Sequence, residues 1–111
     1  MRIGNTVVSV QPSNDTISSV AADSREIKWQ LHQIGVIARA RRAQGLGYSV
    51  EDVRRDFRGK RVLEYADEKD LEAAINGQSP RVLAHGMIGR ALGIAVETVD
   101  KYEKLARSRT S

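Results

Sequence analysis

The stretch Ile88–Val99, IGRALGIAVETV, decides how the rest of the chain is read. Apolar residues recur at helical spacing up to Leu92, Gly93 interrupts them, and they resume at Val96 and Val99 ahead of the polar run DKYEKLARS. This is the pattern of a short helix, a turn and a second helix. Gly93, which takes a positive φ without strain, stands where the turn falls, and Val99 is the aliphatic residue that resumes the pattern beyond it.

Working outward, Ser79-Pro80 reads as a cap followed by a first-turn proline, so the helix before the turn begins there, with Leu83, Met87, Ile88, Ala91 and Leu92 on its inward face. Beyond the turn, Val96, Val99, Tyr102 and Ala106 form the expected inward stripe. Upstream, Asp67 caps a helix through Leu71, Ala74 and Ile75 that stops at Asn76-Gly77. The preceding RVLEY is short and β-branched enough for a strand or wing. Ser49, with Glu51 and Asp52 behind it, opens a helix from Val50 to about Arg58, with Val53 and Phe57 inward.

A longer helix starts near Ser24, as its cap, with Ile27, Leu31, Ile34 and Ala38 inward, and ends in Arg39, Arg41 and Arg42 before the break at Gln44–Gly47. Trp29 lies off that stripe, at the core edge or in a dimer contact. Met1 to Ala22 is polar and reads as a flexible tail, with VVSV (Val7–Val10) as its one candidate strand. Residues 23–107 then form one helical domain, followed by a short tail over 108–111.

Composition narrows the function. A chain of 111 residues has room for one modest core, and a deep catalytic cleft is hard to build in it. The absence of cysteine excludes disulfides and thiolate metal sites and fits a reducing cytoplasm. No run approaches the roughly 18 apolar residues of a membrane span, and no apolar segment of signal-peptide length stands at the N-terminus, so the expected location is cytoplasmic. His32 and His85 have no second histidine at ligand spacing, GLGYSV lacks the third glycine of a dinucleotide loop, and Ser49 and Ser79 are explained as caps. No catalytic residue, metal site, cofactor or small-molecule ligand is expected.

The net charge of +4 is unevenly spread. Residues 36–62 hold eight cations against three anions, residues 63–78 one against five, and residues 79–111 six against three. The densest cluster is Arg54, Arg55, Arg58, Lys60 and Arg61. Basic blocks of this kind suit a polyanion, since neutralising phosphates releases counterions.

With Gly89, Gly93 and Val99 at their spacing, the stretch resembles the helix-turn-helix of bacterial and phage DNA-binding proteins; the resemblance puts Gly89 where the two helices cross and no side chain fits, Gly93 at the opening of the turn with a positive φ, and Val99 in the corner that closes the core. GYSVEDVRRDF is similar to the GFSLEEIRELL-type stretch of MerR-family regulators, and RVLEYADEKDLEAAI to the wing and following helix of that family and of excisionase-like proteins. The resemblance implies a mainly α fold of two helix-turn-helix-like units, about residues 36–76 and 80–107, with one short β-wing. It implies a DNA-binding transcriptional regulator of bacterial, phage or mobile-element type, with double-stranded DNA as partner. The start of the second helix, Ala95, Val96, Glu97, Thr98, Lys101 and Lys104, would face the groove. The anions Glu97, Asp100 and Glu103 run against this, and the Arg54–Arg61 cluster would supply phosphate contacts. A homodimer is expected because one short helix reads few base pairs. The alternative is a protein-interaction module, such as an anti-activator, phage assembly component or antitoxin, that makes no direct DNA contact.

Overall fold

The computed structural model describes residues 12–110, the side chain of Thr110 excepted; residues 1–11, VVSV among them, and Ser111 lie outside the described residues. Six helices follow one another: α1 (Asn14–Ala43), α2 (Val50–Asp56), α3 (Arg61–Tyr65), α4 (Glu68–Ile75), α5 (Pro80–Leu92) and α6 (Val96–Thr110). No strand occurs among the described residues. No single described helix is long and apolar enough to cross a membrane.

The 30 residues of α1, about 45 Å of helix, are the spine on which α3, α4, α5 and α6 pack. Ile27, Leu31, Ile34 and Ala38 point inward as their spacing predicts, and together with Val53, Val62, Leu71, Met87, Ile88 and Val99 they are sealed from solvent. The helix starts ten residues before the expected cap. Ser13 takes that role, its hydroxyl accepting from the Thr16 N–H at 3.0 Å, with Asp15 in the first turn. Ile17, Val20 and Ala21 then extend the inward stripe, so the polar residues that suggested a tail over 14–22 lie largely on the outer face of a helix. Ser24, far from being a cap, is buried in mid-helix. At the other end Arg41 donates from Nε to the Gly47 carbonyl at 2.7 Å and Arg42 donates to the Ile75 carbonyl at 3.3 Å, binding the loop and α4 to the spine.

The caps of the shorter helices follow the sequence. Ser49 with Asp52 and Asp67 with Asp70 form reciprocal capping boxes, and Ser79 caps α5 ahead of Pro80. RVLEY is a correction, because it forms the single-turn helix α3 and no β-wing. Among the described residues no strand lies beside it, and the Gln30 Oε1 of α1 accepts its Val62 N–H at 2.8 Å. Arg61 and Glu64 pair at helical spacing, 3.0 Å apart.

Helices α5 and α6 meet at a bend of 104°. Gly93 stands at the corner with φ 69°, and the Gly89 carbonyl accepts from the N–H of Gly93 and, at 2.9 Å, from that of Ile94. A Cβ on Gly89 would lie 2.8 Å from the Ile94 carbonyl oxygen. Val99 is completely buried. Ala91 and Leu92 of α5 and Val96 of α6, all expected inward, are exposed, since the tight corner turns both helix ends outward; Ala84 and His85 are buried instead.

Gly89→Ala should therefore destabilise the fold by about 1–3 kcal/mol through overpacking against rigid backbone. Gly93→Ala should cost about 1–2 kcal/mol through the left-handed conformation it imposes. Denaturant unfolding of both variants checks this; Gly86→Ala, where an added Cβ meets nothing within 4 Å, serves as the control and should be neutral or better.

Candidate nucleic-acid interface

The steep corner leaves the first turn of α6 facing out. Ala95, Val96 and Glu97 are exposed there, Thr98 is half-buried, and Lys101 and Lys104 continue the same outward side. Lys101 has no ion partner among the described residues, whereas Lys104 binds Asp100 at 2.9 Å. Asp100 is also held by Arg81 of α5 at 2.8 Å. The hydrogen bond from Lys104, followed by that from Arg81, keeps the Asp100 carboxyl below the ordinary carboxylate range.

Glu103 does not belong to this outward face. It is buried at the junction of α1, α5 and α6, and is the largest departure from the sequence reading. Its Oε2 accepts from the Lys28 ammonium at 2.8 Å and from the Ser24 hydroxyl; its Oε1 accepts from His85 Nε2 at 2.8 Å. Burial pushes the carboxyl up, but the hydrogen bonds from Lys28, Ser24 and His85 together outweigh it and hold it below its ordinary value. The signal for this was present. Glu103 lies four residues after Val99, so an inward Val99 carries Glu103 inward, and Ser24 and Lys28 have the same spacing beside the inward stripe of α1.

His85, Asp100 and Glu103 place ligand-type atoms within 4.8 Å of one another. The lone pairs a cation would need are engaged by Lys28, Ser24 and His85 on Glu103 and by Arg81 and Lys104 on Asp100. The cluster thus links three helices through neutralised charge. Of the three carboxylates at this end of α6, Glu97 alone stands exposed without an ion partner among the described residues.

The second cationic cluster is thinner in space than in sequence. Arg55 pairs with Asp52 and Asp56, each at 3.2 Å, and Arg61 with Glu64 at 3.0 Å and Asp23 at 3.6 Å. Arg54, Arg58 and Lys60 are exposed without an ion partner among the described residues. Arg54 also borders a groove of about 630 Å³ between α2 and α4 that Glu51, Glu68 and Glu72 line as well, so its surroundings are partly anionic. Val53 and Phe57 are buried as expected. This cluster is carried by the α2–α3 segment, where α2 packs on α4, while α6 packs on α1 and α5; the two basic sets therefore occupy different parts of the fold.

Comparison with known proteins gives no matching family model, no matching curated protein and no matching solved structure.

Because the Glu103 carboxyl lies below its ordinary 4.5 in the folded chain, it stabilises the fold fully above that pH. That contribution is lost as pH falls through the lower folded value. Glu103→Gln should cost about 2–3 kcal/mol at pH 7, less than a fully buried pair because Lys28 keeps contact with water. It should also flatten the stability profile below pH 4.5. Thermal unfolding from pH 3 to 7 measures both, and an unchanged acid limb would show that Glu103 does not set it.

Proposed function

We propose that this chain is a small, non-enzymatic DNA-binding transcriptional regulator of the bacterial or phage type, cytoplasmic, dimeric, and built around α5–α6 as a helix-turn-helix. The observation that carries this reading is the geometry of the corner. Two helices at 104° present the exposed start of the second, with Asp100 neutralised and Glu103 withdrawn into the core. In the helix-turn-helix mode that start enters the major groove, and Ala95, Val96, Glu97, Thr98 and Lys101 reach base edges or the flanking backbone. Glu97 fits such a face as an acceptor for a cytosine amino group. Arg54, Arg58 and Lys60 add backbone contacts at a second place, the 36–76 segment acting as a supporting helical unit.

A protein-interaction role has one observation in its favour. Val82 (65% exposed), Leu92 (48%) and Val96 (45%) lie around the same corner, and Val82 and Val96 border a cleft of about 270 Å³. An apolar helix of a partner would suit that surface, whereas a phosphate backbone would not.

Fluorescence anisotropy on random and genomic duplexes at rising salt separates the two. Under the DNA reading binding falls steeply with salt, and Lys101→Ala lowers the log–log slope by about one. Arg54→Ala with Arg58→Ala lowers it by about two on every sequence, while Arg55→Ala, already paired in the fold, changes it less. Absence of salt-dependent binding by the folded protein at 50 mM salt would sink the proposal and leave the interaction reading.

A further inference from the structure

Two arginines of α1 have no part in the function proposed above. Arg39 and Arg42 are exposed, three residues apart near the end of the helix, and neither is in an ion pair among the described residues. Arg42 has a structural task, since it donates to the Ile75 carbonyl at 3.3 Å and lies in the last turn, where positive charge suits the helix dipole. Arg39 lies before that turn and makes no hydrogen bond among the described residues.

His32, Gly35, Arg39 and Arg42 recur at intervals of three, four and three residues, so they form one line along α1, about 15 Å long. That line is one wall of a cleft of about 400 Å³, within the roughly 300–1,000 Å³ usual for small-ligand clefts. The opposite wall is the end of α4 and its loop to α5, with Ala74, Asn76, Gly77, Gln78 and Pro80. This wall is already in place. Gly77 and Gln78 donate their N–H groups to the Ala74 and Ala73 carbonyls, each at 3.0 Å, and Ser79 caps α5 by accepting from the Val82 N–H at 3.3 Å. The side-chain amides of Asn76 and Gln78 remain exposed, with no hydrogen-bond partner among the described residues. On the first wall, His32 is stacked on Trp29 at 5.7 Å between ring centroids, which holds the imidazole at the rim.

Charge sets this cleft apart. Arg54 shares its groove with Glu51, Glu68 and Glu72, Arg81 shares a cleft with Glu97 and Asp100, and Arg25 borders one with Glu103. No carboxylate lines the cleft of Arg39 and Arg42, so their mutual repulsion is relieved from no side.

We propose that this cleft binds a phosphate group. Guanidinium forks pair with phosphate oxygens, and donors on two opposed walls suit a tetrahedral oxyanion with three or more oxygens to share. A planar carboxylate, with two oxygens in one plane, is satisfied by a single arginine. The group reaches the cleft either on a small phosphorylated molecule or as part of a DNA backbone. The site stands on α1 and the α4–α5 loop and uses nothing of the α5–α6 corner, so it goes beyond the proposed function and is tested without it.

Inorganic phosphate, titrated into the folded chain against chloride at equal ionic strength, should shift the amide resonances of Gly35, Arg39 and Asn76 to Gln78 with saturation in the millimolar range. Arg39→Ala should weaken this binding about tenfold, the loss of one charge-assisted pair, and Gln78→Ala about threefold, with melting unchanged in both. Arg25→Ala, which removes the same charge from the same helix, should leave the binding as it is. Absence of saturable shifts at tens of millimolar phosphate, an Arg39→Ala variant that binds as before, or an equal loss in Arg25→Ala overturns the proposal. Duplex anisotropy then separates the two sources: Arg39→Ala lowers the log–log salt slope by about one where the phosphate is that of DNA, and leaves it unchanged where the ligand is a small molecule. Should the chain bind no duplex, the phosphate titration still decides the site.

Discussion

The carboxylate of Glu103 is the fixed point from which the arrangement of the long helices follows. Ionised and buried, it is tolerable only while donors from two other helices surround it: Ser24 and Lys28 from α1, His85 from α5. Apolar burial brings the three helices together but is indifferent to small slips along their axes. A buried charge is not indifferent, because a slip of one residue would leave it unpaired. The register of α6 against the spine, and with it the direction in which the start of α6 faces, is set by that requirement. Gly89 and Gly93 set the other coordinate, the 104° between α5 and α6.

The short helices depend on different physics. α2 and α4 close their own first turns with capping boxes, and α5 begins with a serine cap and a proline, so each is specified within a few residues of sequence. Arg90 of α5 then binds Asp70 at 2.7 Å and the Tyr65 carbonyl at 3.2 Å, tying the corner to α3 and α4. Tyr65 in turn donates to Asp23 of α1 at 2.8 Å. Locally closed elements are thus joined to the spine by a few directional contacts around an aliphatic core.

What could be read in advance follows the same division. The caps at Ser49, Asp67 and Ser79, the glycine corner, and the inward positions of Ile27, Leu31, Val53, Leu71 and Val99 were legible because each is a local rule of spacing or turn chemistry. RVLEY misled because β-branched content is a weak signal without a strand to pair with, and here a side chain 32 residues away, Gln30, takes its amide. Ser24 misled because a serine before an apolar run looks the same whether it caps a helix or, inside one, reaches a buried carboxylate 79 residues on. The cationic cluster at Arg54–Arg61 looked uniform because a linear count cannot show that Arg55 and Arg61 are already paired.

The contact between Ser24 and Glu103 also constrains when the fold can be completed. It closes a loop that contains most of the described chain, and closing so long a loop costs entropy that local contacts do not repay. While the chain is being made, α1 leaves the ribosome early with its whole inward stripe bare, and α2 to α5 can cap and settle against it in order. α6 is the last of the six helices to emerge, and its arrival brings Glu103 to Ser24 and Lys28. The segment with the most outward-facing chemistry is therefore the last of the six helices to dock, and until it does the buried side of Ser24 has no carboxylate to meet.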